Sequence, residues 1–404
     1  MANLKSMRCP VPATPEDQGL SSQGLERGRA HVAACVDRGE IAGAVMLVSR
    51  HDQVVQLACV GMRDIEAGLP MTPDTIFRMA SMTKPITSVG ALMLVEAGRL
   101  RLDDPVSRYI PEFASLRVFD RVEDGRVELV PLARPITVHH LLTHTSGMGG
   151  DPPHPALSGL YDNIGDARYP SSELMRRIAV QPLVHQPGER WWYGWGHAVL
   201  GRVIEVVADQ PLDEFLASAV FTPLGMVDTG FHVPPARADR LAAVYAPAAG
   251  APVRVDDSDA NEITERVPLL NGGSGIASTT LDYLRFARML ARSGELDGVR
   301  LLQPAMVHEM TRNHLARRLL PLSIDGYVLS GEGYGLGVGV IIEPSLAKQA
   351  GSKGTYHWGG SWNTRFWIDP AKRLIGIFMV QSAAFTFEGI GTEYRSLVAE
   401  ALMD

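Results

Sequence analysis

The sequence predicts an α+β protein in which one antiparallel sheet is assembled from both ends of the chain. Two β-rich runs near the N-terminus, 43–49 and 54–60, are separated only by His51-Asp52-Gln53, which is the pattern of a hairpin. Near the C-terminus, further strand-like runs follow one another over short connections, which is typical of an antiparallel meander. Helical patterns occupy the chain between the two groups. We therefore expect one sheet flanked by helices, with a mostly helical domain inserted between its two halves.

The individual elements can be placed in chain order. A helix is predicted at 25–37, before the first strands, and an apolar helix is predicted from Ser81 to about residue 96, before Gly98. The helix candidates that follow are 138–142, 172–180, 197–208, 212–220, 281–292 and 389–402. The C-terminal strand candidates are 334–342, 355–358, 364–368 and 374–380. The implied domains are 1–115 with 271–404, which carry the sheet, and 116–270, which is inserted, with the active site between them.

Composition and charge exclude several classes of function. The chain has 404 residues, 46% of them hydrophobic and 21% charged, as in ordinary globular proteins. Its formal net charge of -7, without a basic tail or patch, argues against nucleic acid as a partner. No run of about 18 apolar residues predicts a membrane span. The oligomeric state is not indicated.

The N-terminus and the cysteines predict a cytoplasmic protein. Residues 1–17 are polar, contain three prolines and lack the apolar core of a signal peptide. The cysteines at 9, 35 and 59 form no C-x-x-C pair, so free thiols in a reducing compartment are expected. We expect neither a cofactor nor a metal ion.

The first chemical motif is Ser81-Met82-Thr83-Lys84, an S-x-x-K. Side chains three residues apart on a helix lie on one face and can meet. A lysine amine beside a serine hydroxyl can accept its proton if burial lowers the amine pKa. The apolar sequence after Ser81 would desolvate Lys84 in this way. The alternative is that Ser81 is only a helix cap and Lys84 a surface residue.

A second S-x-x-K, Ser345 to Lys348, competes with the first. It follows Pro344 in what reads as a connection between strands. A solvated lysine in such a turn stays protonated and is a poor base, so we expect Ser81 rather than Ser345 to be the nucleophile.

A tyrosine is the second candidate for proton transfer. Tyr193 follows Pro187-Gly188 and leads into a predicted helix. A phenol held near the cation Lys84 could ionise more easily and act as a general base. Tyr161-Asp162-Asn163 competes for this role but lies in a loop without that lead-in. Alternatively, Tyr193 only packs beside neighbouring tryptophans.

The third feature is His357-Trp358-Gly359-Gly360, at the end of a predicted strand. Adjacent glycines let a backbone approach a ligand closely, and a strand-edge N–H there could donate to an oxyanion. The alternative is a simple turn between strands.

Taken together, these motifs resemble those of class C β-lactamases, and most of all the family VIII carboxylesterases that share the β-lactamase/transpeptidase fold. The motif order matches, and so do Leu102-Asp103-Asp104-Pro105-Val106, Leu141-Leu142-Thr143-His144-Thr145-Ser146-Gly147-Met148 and Gly275-Ile276-Ala277-Ser278-Thr279. The resemblance covers nearly the whole chain. It implies Ser81 as nucleophile, Lys84 and Tyr193 as the base system, and the backbone N–H groups of Ser81 and Gly360 as the oxyanion hole.

Three positions depart from the β-lactamase pattern. His357-Trp358-Gly359 stands where those enzymes have Lys-Thr-Gly, and Trp195 stands where they have an asparagine. Ala198 stands where many family esterases have an aspartate. We therefore expect ester hydrolysis rather than efficient lactam turnover. The expected substrate contacts, with Arg365 as a replacement cation, are Trp195, His357, Trp358, Gly359 and Arg365.

Other functions were weighed against this one. No G-x-S-x-G elbow is present, because Ile276 follows Gly272-Gly273-Ser274-Gly275. His140 and His144 have the i, i+4 spacing of metal ligands but lack the H-E-x-x-H motif, and His144 is expected to support the Thr145-Ser146-Gly147 turn instead. An acyltransferase with the same acyl-enzyme stays open, as does a β-lactamase or an amide or peptide hydrolase. A catalytically inactive binding protein is disfavoured by the intact serine, lysine and tyrosine.

Overall fold

A computed structural model describes residues 12–149, 154–160, 164, 167–248, 251–255, 263–384 and 386–403. The strands are β1 Gly43–Arg50, β2 Gln53–Asp64, β3 Leu69–Pro70, β4 Ile76–Arg78, β5 Arg117–Glu123, β6 Arg126–Pro131, β7 Tyr245–Ala246, β8 Val253–Arg254, β9 Ala277–Thr279, β10 Glu295–Leu296, β11 Val299–Arg300, β12 Leu322–Ile324, β13 Tyr327–Leu329, β14 Glu332–Tyr334, β15 Gly339–Ile341, β16 Tyr356–Gly359, β17 Arg365–Asp369 and β18 Leu374–Val380. The helices are α1 Ser22–Asp37, α2 Thr83–Glu96, α3 Val138–Leu142, α4 Ser171–Ala179, α5 Gly196–Ala208, α6 Leu212–Leu216, α7 Thr222–Leu224, α8 Thr280–Ala291, α9 Pro304–Thr311 and α10 Ile390–Glu400. Short 3₁₀ turns lie at Glu16–Gln18, Ala80–Met82, Val106–Arg108, Pro111–Ser115, Pro155–Leu160, Pro235–Arg240 and Arg317–Leu319.

The central sheet has the two-ended construction that the sequence predicts. Its strand order is β14-β15-β16-β17-β18-β1-β2-β3, and neighbouring strands run antiparallel. The N-terminal and C-terminal halves join where β1 pairs with β18, from Ala44 opposite Val380 to Arg50 opposite Leu374. The α+β fold class is confirmed.

Helices cover both faces of this sheet. Successive side chains of β1 point to opposite faces, and all eight of its residues are buried. Met46 packs into the cluster that includes residues of α1 and α10, while Leu47 packs into the large cluster that includes α2 and α8. Because both faces are covered, the strand is apolar from Gly43 to Val48 rather than alternating with polar residues.

The segment between the two halves contains α3 to α7 and also a β-hairpin that the sequence analysis missed. Strands β5 and β6 pair from Arg117 opposite Pro131 to Glu123 opposite Arg126, around a turn at Asp124-Gly125. Both turn residues have positive φ, 48° and 74°, as Asp-Gly hairpin turns require. The Asp-Gly pair between alternating apolar residues was the signal for this hairpin.

Two elements begin or end at residues other than those predicted from the sequence. The run 334–342, expected as one strand, is split into β14 and β15, because Gly337 with φ of 93° reverses the chain between them. The helix expected from Ser81 begins at Thr83, after a 3₁₀ turn. Within the described residues, no helix is both long and apolar enough to cross a membrane.

Candidate active site

Ser81 lies on a tight turn between β4 and α2. The preceding residue, Ala80, has φ of 43°, a left-handed conformation that costs a non-glycine residue free energy. The 3₁₀ turn Ala80–Met82 then leads directly into α2 at Thr83. This geometry places Ser81 at the start of a buried helix but outside its regular hydrogen bonding, half exposed to the cavity described below.

Lys84 reaches Ser81 from the first turn of α2. Its Nζ lies 2.9 Å from Ser81 Oγ and donates to the Gly273 carbonyl at 2.8 Å, and the residue is only 5% exposed. The sequence analysis missed Gly273, because Gly272-Gly273-Ser274-Gly275 was considered only as a nucleophile elbow. The Gly273 carbonyl fixes the amine next to the serine hydroxyl.

Tyr193 lies beside this pair. Lys84 Nζ is 4.7 Å from the centroid of the Tyr193 ring, and the Trp358 indole N–H points to the phenol oxygen at 3.4 Å. Tyr193 and Ser81 line the same cavity. The fold thus brings Tyr193 to the Ser81 and Lys84 pair from a distant part of the chain.

His144 holds the Tyr193 segment in place. Its carbonyl accepts the Trp192 N–H at 2.8 Å and its Nδ1 accepts the Gly194 N–H at 3.4 Å, so it anchors the chain on both sides of Tyr193. The two rings pack with centroids 4.5 Å apart. This contact with Tyr193 goes beyond the turn-supporting role expected from the sequence.

Two neutral imidazoles lie near the lysine. Burial is the main cause that lowers the pKa of His144 well below its usual value, and electrostatic interactions with His197 and Lys84 act in the same direction. Burial and Lys84 do the same to the pKa of His197, whose Nε2 contacts the Ser88 hydroxyl at 3.0 Å. Neutral rings pack beside Lys84 without adding a second buried charge.

In the third motif, Trp358 rather than His357 is the residue beside Tyr193. Trp358 contacts Tyr193, and His357 lines the same cavity at another position. His357 is 4% exposed and lies 3.2 Å from Glu332. Burial lowers the pKa of His357, so it does not supply the cation of a Lys-Thr-Gly motif.

The expectation for Gly360 is corrected by the ladder between β16 and β17. The Gly360 N–H donates to the Thr364 carbonyl at 2.8 Å, so it is not available to an oxyanion. The next residue, Ser361, lies in the turn that connects β16 to β17. Among the described residues, the N–H groups of Ser81 and Ser361 have no acceptor, and both residues line the cavity.

Close contacts around position 360 leave room for glycine only. A Cβ at this position would lie 2.3 Å from the Met79 carbonyl and 2.5 Å from Thr364 Oγ1. Only glycine lets the end of β16 approach the Ser81 turn this closely. Gly360 therefore acts by bringing Ser361 next to Ser81.

Of the three remaining residues expected to contact substrate, two line the cavity beside Ser81 and one does not. Gly359 lines the cavity. Arg365 also lines it, but its guanidinium donates to Thr392 Oγ1 at 3.1 Å and to the Thr386 carbonyl, and burial lowers its pKa to about 10. Trp195 instead lines a separate small apolar cavity with Met148, so the structure does not bring it to Ser81 as expected.

The competing motifs are not built in the same way. Ser345 donates to Glu343 at 2.9 Å, and Lys348 pairs with Glu388 while half exposed. The hydrogen bond to Glu388 raises the pKa of Lys348, which keeps it charged and unsuited as a base. Tyr161 lies outside the described residues.

His140 and His144, the two histidines considered as metal ligands, make contacts with different parts of the protein. His140 Nδ1 accepts the Thr137 N–H at 3.1 Å, while His144 packs on Tyr193. In the part of the chain that the structure describes, no group of three or more His, Cys, Asp or Glu side chains is arranged to hold a metal ion.

The buried histidines predict a loss of stability in acid. Burial lowers the pKa of His139 and of His140 to about 4, against about 6.5 in an unfolded chain. The unfolded state therefore binds more protons as the pH falls from about 6.5 towards 4, and the free energy of unfolding decreases. His144 acts in the same direction, whereas Asp282, whose pKa burial raises to about 6, acts in the opposite one.

We expect the melting temperature to fall between pH 7 and pH 5, and to fall less steeply in the double variant His139→Gln/His140→Gln. Thermal unfolding followed by circular dichroism at several pH values measures both slopes. Identical slopes for the two proteins would show that these two histidines do not carry the effect.

The sequence and fold are similar to those of known proteins. Residues 29–400 match the protein-family model described as Beta-lactamase. Protein Rv1367c of Mycobacterium tuberculosis is 36% identical over 369 residues, which cover 88% of this chain and 90% of that protein. Esterase EstB of Burkholderia gladioli is 33% identical over 376 residues, covering 87% and 88%. The structure of EstCE1, described as a hydrolase with promiscuous acyltransferase activity, superposes with a TM-score of 0.80 at 27% identity, covering 95% and 99%.

Proposed function

Because this chain belongs to the beta-lactamase family and is a serine hydrolase of the esterase type, we propose that it is a carboxylesterase that hydrolyses short-chain esters of small molecules through an acyl-enzyme on Ser81. The observation that carries the proposal is the 2.9 Å contact between the buried Lys84 amine and Ser81 Oγ, with Tyr193 beside it. The esterase activity named for EstB supports the same conclusion.

Acylation is proposed to proceed as follows. Ser81 Oγ bonds to the ester carbonyl carbon while its proton passes to the base formed by Lys84 and Tyr193. The negative charge that develops on the carbonyl oxygen is stabilised by the N–H groups of Ser81 and Ser361. When the bond to the alkoxy oxygen breaks, Tyr193 returns the proton to that oxygen and the alcohol leaves. Water then repeats the attack, which releases the acid and restores Ser81.

Acyl transfer to an alcohol is the second candidate, because the promiscuous acyltransferase activity named for EstCE1 uses the same kind of intermediate. Incubation with p-nitrophenyl butyrate and increasing 1-butanol separates the two. A hydrolase forms mainly butyrate, whereas a transferase forms mainly butyl butyrate. Mass spectrometry of the trapped protein should find the butyryl group on the peptide that contains Ser81; acylation of another residue would contradict the proposal.

Lactam turnover is expected to be weak. A penicillin or cephalosporin brings a carboxylate that needs a cationic partner, yet Trp358 contacts Tyr193, His357 lies against Glu332, and Arg365 is held by its neighbours. Leaving such a buried group unpaired costs about 1–3 kcal/mol, and a lactam side-chain amide adds a similar cost. We expect kcat/KM for p-nitrophenyl butyrate to exceed that for nitrocefin by roughly 10² to 10⁴-fold. Comparable values on one preparation would contradict the esterase assignment.

The cellular location proposed from the sequence is the cytoplasm. The free thiols of Cys35 and Cys59 are compatible with a reducing compartment.

A further inference from the structure

Two cavities share the lining residue Ser361, whose N–H is one of the two proposed oxyanion donors. The first, which we name the Tyr193-side cavity, has a volume of about 150 Å³ and is lined by Ser81, Tyr193 and Ser361 among others. The second, which we name the Ala80-side cavity, has a volume of about 280 Å³ and is lined by Ala80 and also by Ser361. An ester has two halves, so one cavity is available for each.

We propose that the Tyr193-side cavity binds the alcohol half of the ester and selects alcohols that carry an apolar six-membered ring. This inference rests on the proposed function, because it uses Tyr193 as the proton donor. In acylation the bond between the carbonyl carbon and the alkoxy oxygen breaks, and the Tyr193 proton moves to that oxygen. Proton transfer needs hydrogen-bond distance, so the alcohol must lie on the Tyr193 side. The acyl group then takes the Ala80-side cavity.

The walls of the Tyr193-side cavity are suited to an apolar ring. They include six apolar side chains from three parts of the C-terminal half: Ile324, Leu329, Trp358, Phe366, Trp367 and Phe387. An apolar protein cavity of about 150 Å³ can hold a molecule the size of benzene. A ring that fills it removes its apolar surface from water, which ethanol does to a much smaller extent.

The charged side chains that line this cavity have protein partners for only some of their polar atoms. Glu332 lies 3.2 Å from His357, and Arg365 donates to the Thr392 hydroxyl at 3.1 Å. Arg395 donates to a backbone carbonyl at 2.7 Å. Among the described residues, Glu332 Oε2, His357 Nε2 and Arg395 Nη2 have no hydrogen-bond partner, so the selection of a ring is inferred from the apolar wall alone.

The β12–β13 hairpin supplies two residues of this wall, Ile324 and Leu329. It is attached to the segment before α10, because Tyr327 stacks on Phe387 with ring centroids 4.7 Å apart and donates to Glu388 at 2.9 Å. Neither hairpin residue contributes to the Ser81, Lys84 and Tyr193 cluster. Alcohol selectivity can therefore be changed without touching the catalytic groups.

The test varies the alcohol with the acyl group fixed. For the wild-type enzyme we expect kcat/KM for cyclohexyl butyrate to exceed that for ethyl butyrate, although ethanol and cyclohexanol are similar leaving groups. Leu329→Trp fills the cavity and should lower the cyclohexyl-to-ethyl ratio by about tenfold or more. Leu329→Ala enlarges the cavity and should raise kcat/KM for 4-tert-butylcyclohexyl butyrate relative to ethyl butyrate. Misfolding cannot produce opposite shifts in selectivity.

The matched control is the same substitution in the other cavity. Leu269 is as deeply buried as Leu329 and lines the Ala80-side cavity. Leu269→Trp should change the ratio of cyclohexyl hexanoate to cyclohexyl acetate turnover and leave the cyclohexyl-to-ethyl ratio within about threefold. If Leu269→Trp rather than Leu329→Trp changes the alcohol ratio, the two cavities are assigned the wrong way round.

The two proposals fail in different ways. Ester turnover with no difference between cyclohexyl and ethyl butyrate, or a ratio unaffected by both Leu329 variants, overturns the alcohol-site inference alone. Absence of turnover for every ester, in a folded wild-type protein, overturns the proposed function and the alcohol site with it.

Discussion

Replacing Ser81 by alanine is expected to abolish ester hydrolysis while leaving the fold intact. Ser81 is half exposed on its turn, and alanine removes only the hydroxyl that Lys84 contacts at 2.9 Å. Removal of the nucleophilic serine from a serine hydrolase costs on the order of 10⁶-fold in kcat. Steady-state hydrolysis of p-nitrophenyl butyrate measures the loss, and the melting temperature checks the fold.

The matched control is Ser345→Ala, which removes the serine of the second S-x-x-K. Lys348 there is paired with Glu388, so this variant should keep nearly full activity. A fluorophosphonate probe should label the wild type and Ser345→Ala but not Ser81→Ala. Labelling of Ser345, or no labelling at all, would show that the nucleophile has been misassigned.

Replacing Tyr193 by phenylalanine is expected to give the second largest loss, about 10² to 10⁴-fold, the usual contribution of a general acid–base group. Phenylalanine keeps the ring packing against His144 and removes only the hydroxyl group, which the Trp358 indole N–H contacts at 3.4 Å. The loss should be larger for ethyl butyrate than for p-nitrophenyl butyrate, since ethoxide needs a proton to leave and p-nitrophenolate does not. Assays of both esters on the same variant measure this difference.

Two outcomes would count against Tyr193. Activity within a few-fold of wild type would remove it as the base, and equal losses on both esters would remove it as the proton donor to the alcohol. Tyr161→Phe, at the competing tyrosine, should behave like the wild type on both esters.

Much of the fold could be predicted from the sequence because its signals are local. The runs that became β1, β2 and β18 are apolar and bounded by turn residues, and the helices α1, α5, α8 and α10 lie within a few residues of their predicted positions. The β5–β6 hairpin was missed although Asp124-Gly125 marks its turn. The surrounding segment was interpreted by its helical pattern alone, and the turn chemistry was overlooked.

The candidate site divides in a similar way. The candidates Ser81, Lys84 and Tyr193 can be selected from the sequence. The S-x-x-K spacing places the first two side chains on one helical turn, and the Pro-Gly lead-in distinguishes Tyr193 from Tyr161. Side-chain direction along β16 does not follow from the sequence. His357 was expected in the place of the motif lysine, whereas the structure brings Trp358 into contact with Tyr193 and places His357 against Glu332.

The sequence by itself determined which residues could do the chemistry and that both chain ends build one sheet. Only the tertiary structure decided that the Gly273 carbonyl holds Lys84, that Ser361 rather than Gly360 has its N–H available, and that Trp195 lies apart from Ser81. These contacts join residues far apart in the chain, and backbone N–H and carbonyl groups are common to nearly all residues. Their roles are set by which partner the fold places within hydrogen-bond distance, and no residue type encodes that.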